Sequence, residues 1–243
     1  MRKIIGALIA LLWLLAATAC AQERVVYLTF DDGPCASTPE LLEALAACEA
    51  PATFFFVGAR VKMFPEAARA VVAAGHAVGC HGMDHSTRRV REWGWSAQRE
   101  MARFNARMAE VGAPVDTRLY RFPGGSGAYP GRCKRAMTRA GCAWFDWNAM
   151  TSDTEDHMSA QRIHERVMRT AGDAPVVILL AHEGKRETMR ALPGIVEAFR
   201  ARGYTFRVLS LEERDRVLLT GSEIRMGWPT AEGEGEALSA NGA

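Results

Sequence analysis

Short apolar runs alternate with longer amphipathic stretches along most of the chain. The apolar runs predict strands at 25–30, 52–57, 76–80, 117–122, 143–147, 175–181 and 204–209. The stretches between them predict helices at 38–48, 65–74, 94–111, 131–140, 158–171 and 186–202. Such alternation indicates a parallel sheet wrapped by helices. Seven strand units of this kind predict one α/β domain, a distorted (β/α)7-type barrel that is closed or nearly so.

Polar motifs follow the ends of these predicted strands. Segments 52–57 and 175–180 are almost entirely apolar, as expected of strands that are buried on both faces. In barrels of this kind the active site lies at the C-terminal ends of the strands. We therefore expect the polar side chains that follow the strands to share one rim of the sheet.

The first motif is Thr-Phe-Asp-Asp-Gly-Pro at 29–34, directly after the first strand. Neighbouring residues of a strand point to opposite sides, so Asp31 and Asp32 could divide two tasks, one binding a cation and the other moving a proton. A surface turn is the alternative interpretation, because Asp-Gly and Gly-Pro are ordinary turn sequences.

His81 and His85 follow the third predicted strand. A separation of four residues is about one helical turn, so both imidazoles can meet one ion. Together with a carboxylate such as Asp32, they would form a two-histidine, one-carboxylate site with coordination positions left open for water and substrate. We predict a divalent metal there, zinc in the first place, with Co²⁺, Ni²⁺ or another transition metal as alternatives.

Three further motifs end later strands: Arg121 with Pro123, Asp146-Trp147, and Leu180 with His182. Each has a structural explanation, such as a surface charge, a turn, a core aromatic or a strand-end histidine. Their common position at strand ends favours a functional interpretation.

In this order the five motifs resemble the polysaccharide deacetylase family, the NodB-type domain of carbohydrate esterase family 4. The resemblance spans about residues 24–212. It implies Asp31 as general base and His182 as general acid. The metal ligands that it implies are Asp32, His81 and His85.

Supporting roles are also implied by the resemblance. Arg121 would orient Asp31, and Asp146 would tune His182. Trp147 and Leu180 would line the pocket for the acetyl group, and the Gly124 N–H would contact the oxyanion. Two positions depart from the family: Gly82 replaces a hydroxyl residue that braces the histidine loop, and Gly124 stands where many members have tyrosine.

These observations predict a metal-dependent hydrolase that removes acetyl groups from N-acetylated glycans of the cell envelope, with peptidoglycan favoured. The same site would cleave O-acetyl esters, so an esterase acting on xylan or another polymer is the first alternative. The second is an inactive glycan-binding protein. Proton-transfer residues beside the metal ligands argue against it, because binding alone does not need them.

The N-terminal segment predicts export. Residues 1–21 have basic residues, an apolar run and small residues before Cys20, the layout of a secretory signal. Cleavage before Cys20 or Gln22 and lipoprotein processing that acylates Cys20 both fit, so a lipid anchor would be the one membrane contact. The catalytic domain is predicted at 22–220 and a disordered tail at 221–243. The expected location is the periplasm or the cell envelope.

Charge restricts the class of partner. The chain has 30 basic and 28 acidic residues, and loss of Arg2 and Lys3 with the signal leaves it near neutrality. Nucleic acid and anionic membranes select clustered basic charge, so an acetylated polysaccharide fits better. We expect a monomer. Export also favours disulfides, and Cys35 and Cys133 are the predicted pair because both follow motifs on the same rim.

Overall fold

The computed structural model describes residues 23–91, 95–213 and 225–227. The predicted signal 1–21, with Cys20, lies outside the described residues, as does most of the predicted tail. The proposed domain boundaries therefore stay predictions. Within the described part of the chain, no helix has the length and apolar character needed to cross a membrane.

A curled sheet of nine strands forms the centre of the described chain. Its strands are β1 (Arg24–Gly33), β2 (Ala52–Phe56), β3 (Ala77–Cys80), β4 (Leu119–Tyr120), β5 (Ala143–Phe145), β6 (Ala149–Met150), β7 (Val176–His182), β8 (Tyr204–Phe206) and β9 (Met226–Gly227). Their order is β6-β7-β1-β2-β3-β4-β5-β9, and β8 pairs with the start of β1. All pairs are parallel except β5 with β9. The predicted α/β barrel type is confirmed, in an open, curled form.

Helices connect most of the strands. They are α1 (Thr38–Ala47), α2 (Gly58–Met63), α3 (Pro65–Ala73), α4 (Thr87–Arg91), α5 (Ala97–Glu110), α6 (Gly131–Arg139), α7 (Ala160–Ala171) and α8 (Arg186–Ala201). All seven predicted strands and six predicted helices are present, with differences at their ends. The sequence did not predict α2, α4, β6 or β9, because elements this short contain too few residues to show a period.

Strand alternation divides the core into two parts. On β1, Val25 and Tyr27 face the inside of the curled sheet, while Val26, Leu28 and Phe30 pack on the other face against the helices. Val176 and Ile178 of β7 also belong to the inner cluster. The inner face is apolar near the strand starts, and it becomes polar toward the strand ends.

Residues 225–227, which lie within the predicted tail, contain β9 and pair with the sheet through it. Met226 is 4% exposed and belongs to the inner apolar cluster. Its strand pairs with β5, and the Arg225 carbonyl accepts the Asp146 N–H at 2.8 Å. Composition did not reveal this short pairing, because one buried methionine in a polar segment carries no pattern.

The predicted pair of Cys35 and Cys133 is wrong: both are free thiols, as are the other three cysteines of the described residues. Cys133 lies on α6, and its Sγ donates to the Val90 carbonyl at 3.2 Å. Cys35 instead contacts Ser37, with 3.3 Å between Sγ and Oγ. The two thiols therefore pack within separate local contacts.

Candidate active site

The end of β1 turns both aspartates toward one site. Asp31 continues the inward alternation of the strand and is buried. The β1–β2 register shifts between Asp31 and Gly33, and Asp32 has φ 69°. This irregularity interrupts the normal alternation. The expectation that the two side chains face opposite sides is therefore wrong, because both carboxylates approach the same histidine.

Arg121 is the buried partner of Asp31. Its side chain is 0% exposed, and its Nη1 lies 2.9 Å from Asp31 Oδ1. It also donates to Thr29 Oγ1 and to the carbonyls of Phe145 and Asp146. The guanidinium carbon lies 4.3 Å from the centre of the Phe55 ring. These contacts leave Arg121 little freedom, and it can hold Asp31 in one orientation as expected.

His81 and His85 meet the aspartates where β3 ends. His81 Nε2 lies 3.6 Å from Asp31 Oδ2 and 3.7 Å from Asp32 Oδ1. His85 Nε2 lies 3.4 Å from Asp32 Oδ1, and the two imidazole centres are 4.9 Å apart. One ligand atom from each of Asp32, His81 and His85 falls within 4.8 Å of the others. The spacing in the sequence therefore does bring the three together.

The donor chemistry of this triad fits a divalent transition metal. His81 Nδ1 lies 2.9 Å from the Arg121 carbonyl, which can only accept, so Nδ1 carries the proton and Nε2 is free to bind an ion. Burial lowers the pKa of His81 despite the nearby carboxylates, which favours the neutral imidazole that a metal requires. Two imidazoles and one carboxylate are typical ligands of zinc.

His182 lies opposite Asp31. The two residues are register partners on β7 and β1, and neighbouring strands are about 4.8 Å apart. His182 Nδ1 donates to Asp153 Oδ1 at 2.7 Å, and its backbone N–H donates to Asp153 Oδ2 at 3.0 Å. Thr188 Oγ1 also donates to Asp153, at 2.8 Å. The second ring nitrogen, Nε2, is thus left for the reaction.

The carboxylate that tunes His182 is Asp153, and the sequence-based choice of Asp146 is wrong. Burial acts to lower the pKa of His182. The hydrogen bond and charge of Asp153, together with the charges of Asp31 and Asp32, outweigh it and raise that pKa. The pKa of Asp153 is lowered: burial acts to raise it, but its bonds to His182 outweigh that. The raised pKa of His182 and the lowered pKa of Asp153 both favour the charged forms of the two side chains.

Asp146 has a different position. It accepts the Ser126 N–H at 2.8 Å and the Ser126 hydroxyl at 2.7 Å. Ser126 ends the loop that contains Gly124 and Gly125, which have φ 73° and φ 85°. Asp146 thereby anchors the loop that carries the expected oxyanion donor. Among the described residues, no hydrogen bond uses the Gly124 N–H.

Trp147 and Leu180 border the same region. Leu180 follows the inward alternation of β7 and is opposite Thr29. The Trp147 ring centre lies 5.7 Å from the guanidinium carbon of Arg121. A Cβ on Gly125 would come within 3.1 Å of the Trp147 ring, so the ring packs on the loop backbone. Their role in lining an acetyl pocket stays a prediction.

Another buried carboxylate, Glu183, packs against the aspartate turn. Glu183 follows His182, and its Oε2 accepts the Thr38 hydroxyl. A Cβ on Gly33 would lie 1.4 Å from Glu183 Oε1, so any larger residue there would displace the Glu183 carboxyl. Burial raises the pKa of Glu183 to about 8, against the opposing effects of Thr38 and Arg60. The raised pKa favours the neutral carboxyl over a further negative charge near Asp32.

The site agrees with the comparisons to known proteins. The sequence model of the polysaccharide deacetylase family matches residues 18–144, which is just over half of the chain. The chain belongs to the polysaccharide deacetylase family. This membership confirms the resemblance seen in the motifs and the predicted class of enzyme.

Two relatives match this chain over more residues than the family model does. The chain is 32% identical over 193 residues to a peptidoglycan-N-acetylglucosamine deacetylase of Bacillus cereus, covering 76% of this chain and 69% of the relative. It is 28% identical over 210 residues to a chitooligosaccharide deacetylase of Azorhizobium caulinodans, covering 80% of this chain and 97% of that one.

Solved structures share the fold of this family member. A polysaccharide deacetylase of Bacillus cereus superposes with a TM-score of 0.72 at 31% identity, over 78% of this chain and 94% of that one. A family 4 carbohydrate esterase from Streptomyces lividans, solved with acetate, gives 0.67 at 27% identity, over 78% and 95% of the two chains.

Three buried carboxylates near the candidate site were missed by sequence reasoning. Asp153 was overlooked because the Asp146-Trp147 pair matched the family's fourth motif, whereas Asp153 is followed by Thr154. Glu183 and Glu100, which is described below, were overlooked because nothing in a sequence separates a buried glutamate from an exposed one. Asp153 could have been found only if Ala149–Met150 had been recognised as a strand beside β7, because Asp153 follows that strand.

Proposed function

We propose that this chain is a metal-dependent deacetylase of N-acetylated glycans in the cell envelope, with peptidoglycan as the favoured substrate. One observation carries the proposal. Two proton-transfer groups, Asp31 and His182, are register partners on adjacent strands, directly beside three side chains that suit one metal ion. Metal-assisted hydrolysis of an amide uses such a combination.

The ligands of the ion would be Asp32, His81 and His85, with zinc as the first choice. A bound divalent ion supplies Lewis acidity for a carbonyl oxygen and for a water molecule. Arg121, which also donates to Thr29, holds the Asp31 carboxylate on the inner side of the same cluster. From there Asp31 can take the proton of the attacking water as general base.

The leaving amine needs a proton, because an amide nitrogen is a poor leaving group. His182 can donate it from Nε2, since Asp153 is bonded to the other ring nitrogen, Nδ1, and favours the protonated form. The Gly124 N–H, on the loop anchored by Asp146, would donate to the developing oxyanion. The products are acetate and a free amino sugar.

The substrate and compartment rest on indirect support. The relatives named above act on peptidoglycan or chitooligosaccharides, and the N-terminal segment predicts export to the periplasm or the cell envelope. A near-neutral charge also suits a polymer that lacks dense phosphate. We therefore place an N-acetylglucosamine-containing polymer first.

Acetate release tests the function. The purified mature protein, metal-stripped and then reloaded with zinc, would be assayed on peptidoglycan, chitooligosaccharides, poly-N-acetylglucosamine and acetylxylan. We expect zinc-dependent release from an N-acetylated polymer, greatest with peptidoglycan. Release from acetylxylan alone would establish the esterase alternative. Glycan binding without acetate release from any polymer would establish the binding protein.

The pH profile of an Asp153→Asn variant tests the assignment of the His182 partner. Asparagine removes the charge that raises the His182 pKa, so that pKa should fall. A general acid must be protonated, and activity is lost as pH rises through its pKa. The alkaline limb of kcat should therefore move to lower pH in the variant.

Asp146→Asn is the matched control for this measurement. Asp146 anchors the loop at Ser126, so its loss should lower activity without moving the alkaline limb. A shift with Asp146→Asn and none with Asp153→Asn would restore the assignment made from the sequence.

A further inference from the structure

The loop that carries the two histidines is held by backbone contacts on one side. The His81 N–H donates to the Phe56 carbonyl at 2.8 Å. The carbonyls of the next two residues accept the N–H groups of Gly58 at 2.9 Å and Ala59 at 2.8 Å. This side of the loop is thus tied to the end of β2 and the start of α2.

A single carboxylate completes the other side. The backbone N–H of Met83 donates to Glu100 Oε1 at 2.9 Å. Met83 is buried and lies between His81 and His85 in the chain. Its N–H would have no water to replace this acceptor, and a buried donor without a partner is unfavourable. The position of the loop therefore depends on Glu100.

The burial of Glu100 is unusual for its helix. Glu100 lies in the first turn of α5 and is 4% exposed, whereas Glu110 at the other end of α5 is exposed. A buried carboxylate is unfavourable unless it is hydrogen-bonded. The proton-transfer groups of the proposed reaction do not include Glu100, so catalysis does not explain its burial.

Gly82 explains why a carboxylate is needed at this place. Its φ is 82°, a conformation in which glycine is free and other residues are strained. It has no side chain with which to brace the loop. A Cβ at this position would lie 3.7 Å from Glu100 Oε1, so the carboxylate faces the loop where the glycine leaves space.

We propose that Glu100 is a positioning residue of the metal site, which holds the backbone between His81 and His85 through the Met83 amide. The inference rests on the proposed metal-dependent function and extends it to a residue on α5. Glu100, which lies on α5, supports the loop next to Gly82, which has no side chain that could do so. It touches neither the ion nor the substrate.

A pair of variants with similar side-chain volume tests the proposal. Glu100→Gln keeps an oxygen that can accept the Met83 N–H, while Glu100→Met fills the same space without one. Affinity for Zn²⁺ would be measured on folded, metal-stripped protein by competition with a chelating indicator. We expect Kd to rise about 10-fold in Glu100→Met, the lower end for residues that support metal ligands, and to stay close to wild type in Glu100→Gln.

Two further variants keep the test decisive. Glu110→Met changes an exposed glutamate of the same helix and should leave Kd unchanged. If Glu100→Met does not fold, Glu100→Asp serves instead, because it keeps the charge and withdraws the oxygen by one methylene. Its Kd should also rise.

The outcomes separate this inference from the proposed function. Wild-type Kd in folded Glu100→Met or Glu100→Asp would overturn the inference, and so would equal losses in Glu100→Met and Glu100→Gln. A wild-type protein that binds zinc without releasing acetate would refute the deacetylase proposal alone, since the Kd comparison would still support Glu100. A wild-type protein that binds no zinc would overturn both.

Discussion

Asp31→Asn should lower the rate of deacetylation by about 100- to 10,000-fold, the range typical of general acid and base groups. Asparagine has the same shape and keeps an oxygen for Arg121, but it cannot accept the proton of the attacking water. Zinc binding should be retained, because Asp32, His81 and His85 are unchanged. Rates of acetate release and zinc stoichiometry measured on the same preparation check both parts.

Asp32→Asn is the matched variant at the next position. Its side chain lies 3.4 Å from His85 Nε2 and belongs to the ligand triad, so both zinc affinity and activity should fall. Thermal melts must accompany these assays, because Asp31→Asn removes the charge that faces the buried Arg121. Loss of zinc in a folded Asp31→Asn protein would show that Asp31 is a ligand and would contradict its assignment as base.

His182→Ala should lower amide hydrolysis by a similar factor of about 100- to 10,000-fold. The effect on an acetyl ester should be smaller, because an alcohol leaves more readily than an amine and depends less on a proton donor. The measurement is kcat/KM for one N-acetylated and one O-acetylated substrate, with wild type and variant compared on each.

The ratio of the two losses is the informative quantity in this experiment. Leu180→Ala is a suitable control, because Leu180 lies on the same inner face of β7 and has no proton to donate. It should affect both substrates to a similar degree. Equal losses in His182→Ala would refute its role as leaving-group acid and would indicate that the ring positions the substrate.

Most of the architecture could be predicted from local pattern. The sequence directly indicates the burial of Val25, Tyr27 and the apolar β7. The order of apolar runs and helical stretches indicates a parallel sheet. The short strands β6 and β9 could not be predicted. Each consists of two residues, and its position depends on partners that are far away in the chain.

The candidate metal ligands were predictable for a related reason. Asp32 lies at the end of β1, His81 and His85 follow β3, and parallel strands bring their C-terminal ends to one edge. Their residue types and spacing therefore determined the cluster without knowledge of the contacts. The base and the acid, Asp31 and His182, followed from the same rule and from the resemblance to the family.

Only the tertiary structure decided which carboxylate serves which group. Asp146 and Asp153 are seven positions apart and chemically identical, yet Asp146 anchors Ser126 and Asp153 bonds His182. The difference arises from the short β6 strand, which brings the chain back beside β7 before Asp153. Pairing between strands is a long-range contact, so local sequence does not specify it.

The same limit applies to Glu100 and to the paired orientation of the two aspartates. A sequence shows that glutamate is charged, but its burial depends on which loop packs over its helix. Strand alternation placed Asp31 inward, whereas the register shift that turns Asp32 to the same site depends on how β1 pairs with β2. Sequence thus indicated the sheet, its polar edge and the three candidate metal ligands, because strand pattern and residue type are local properties of the chain. Tertiary structure decided the hydrogen-bond partners that orient them, because those contacts form between segments distant in the chain.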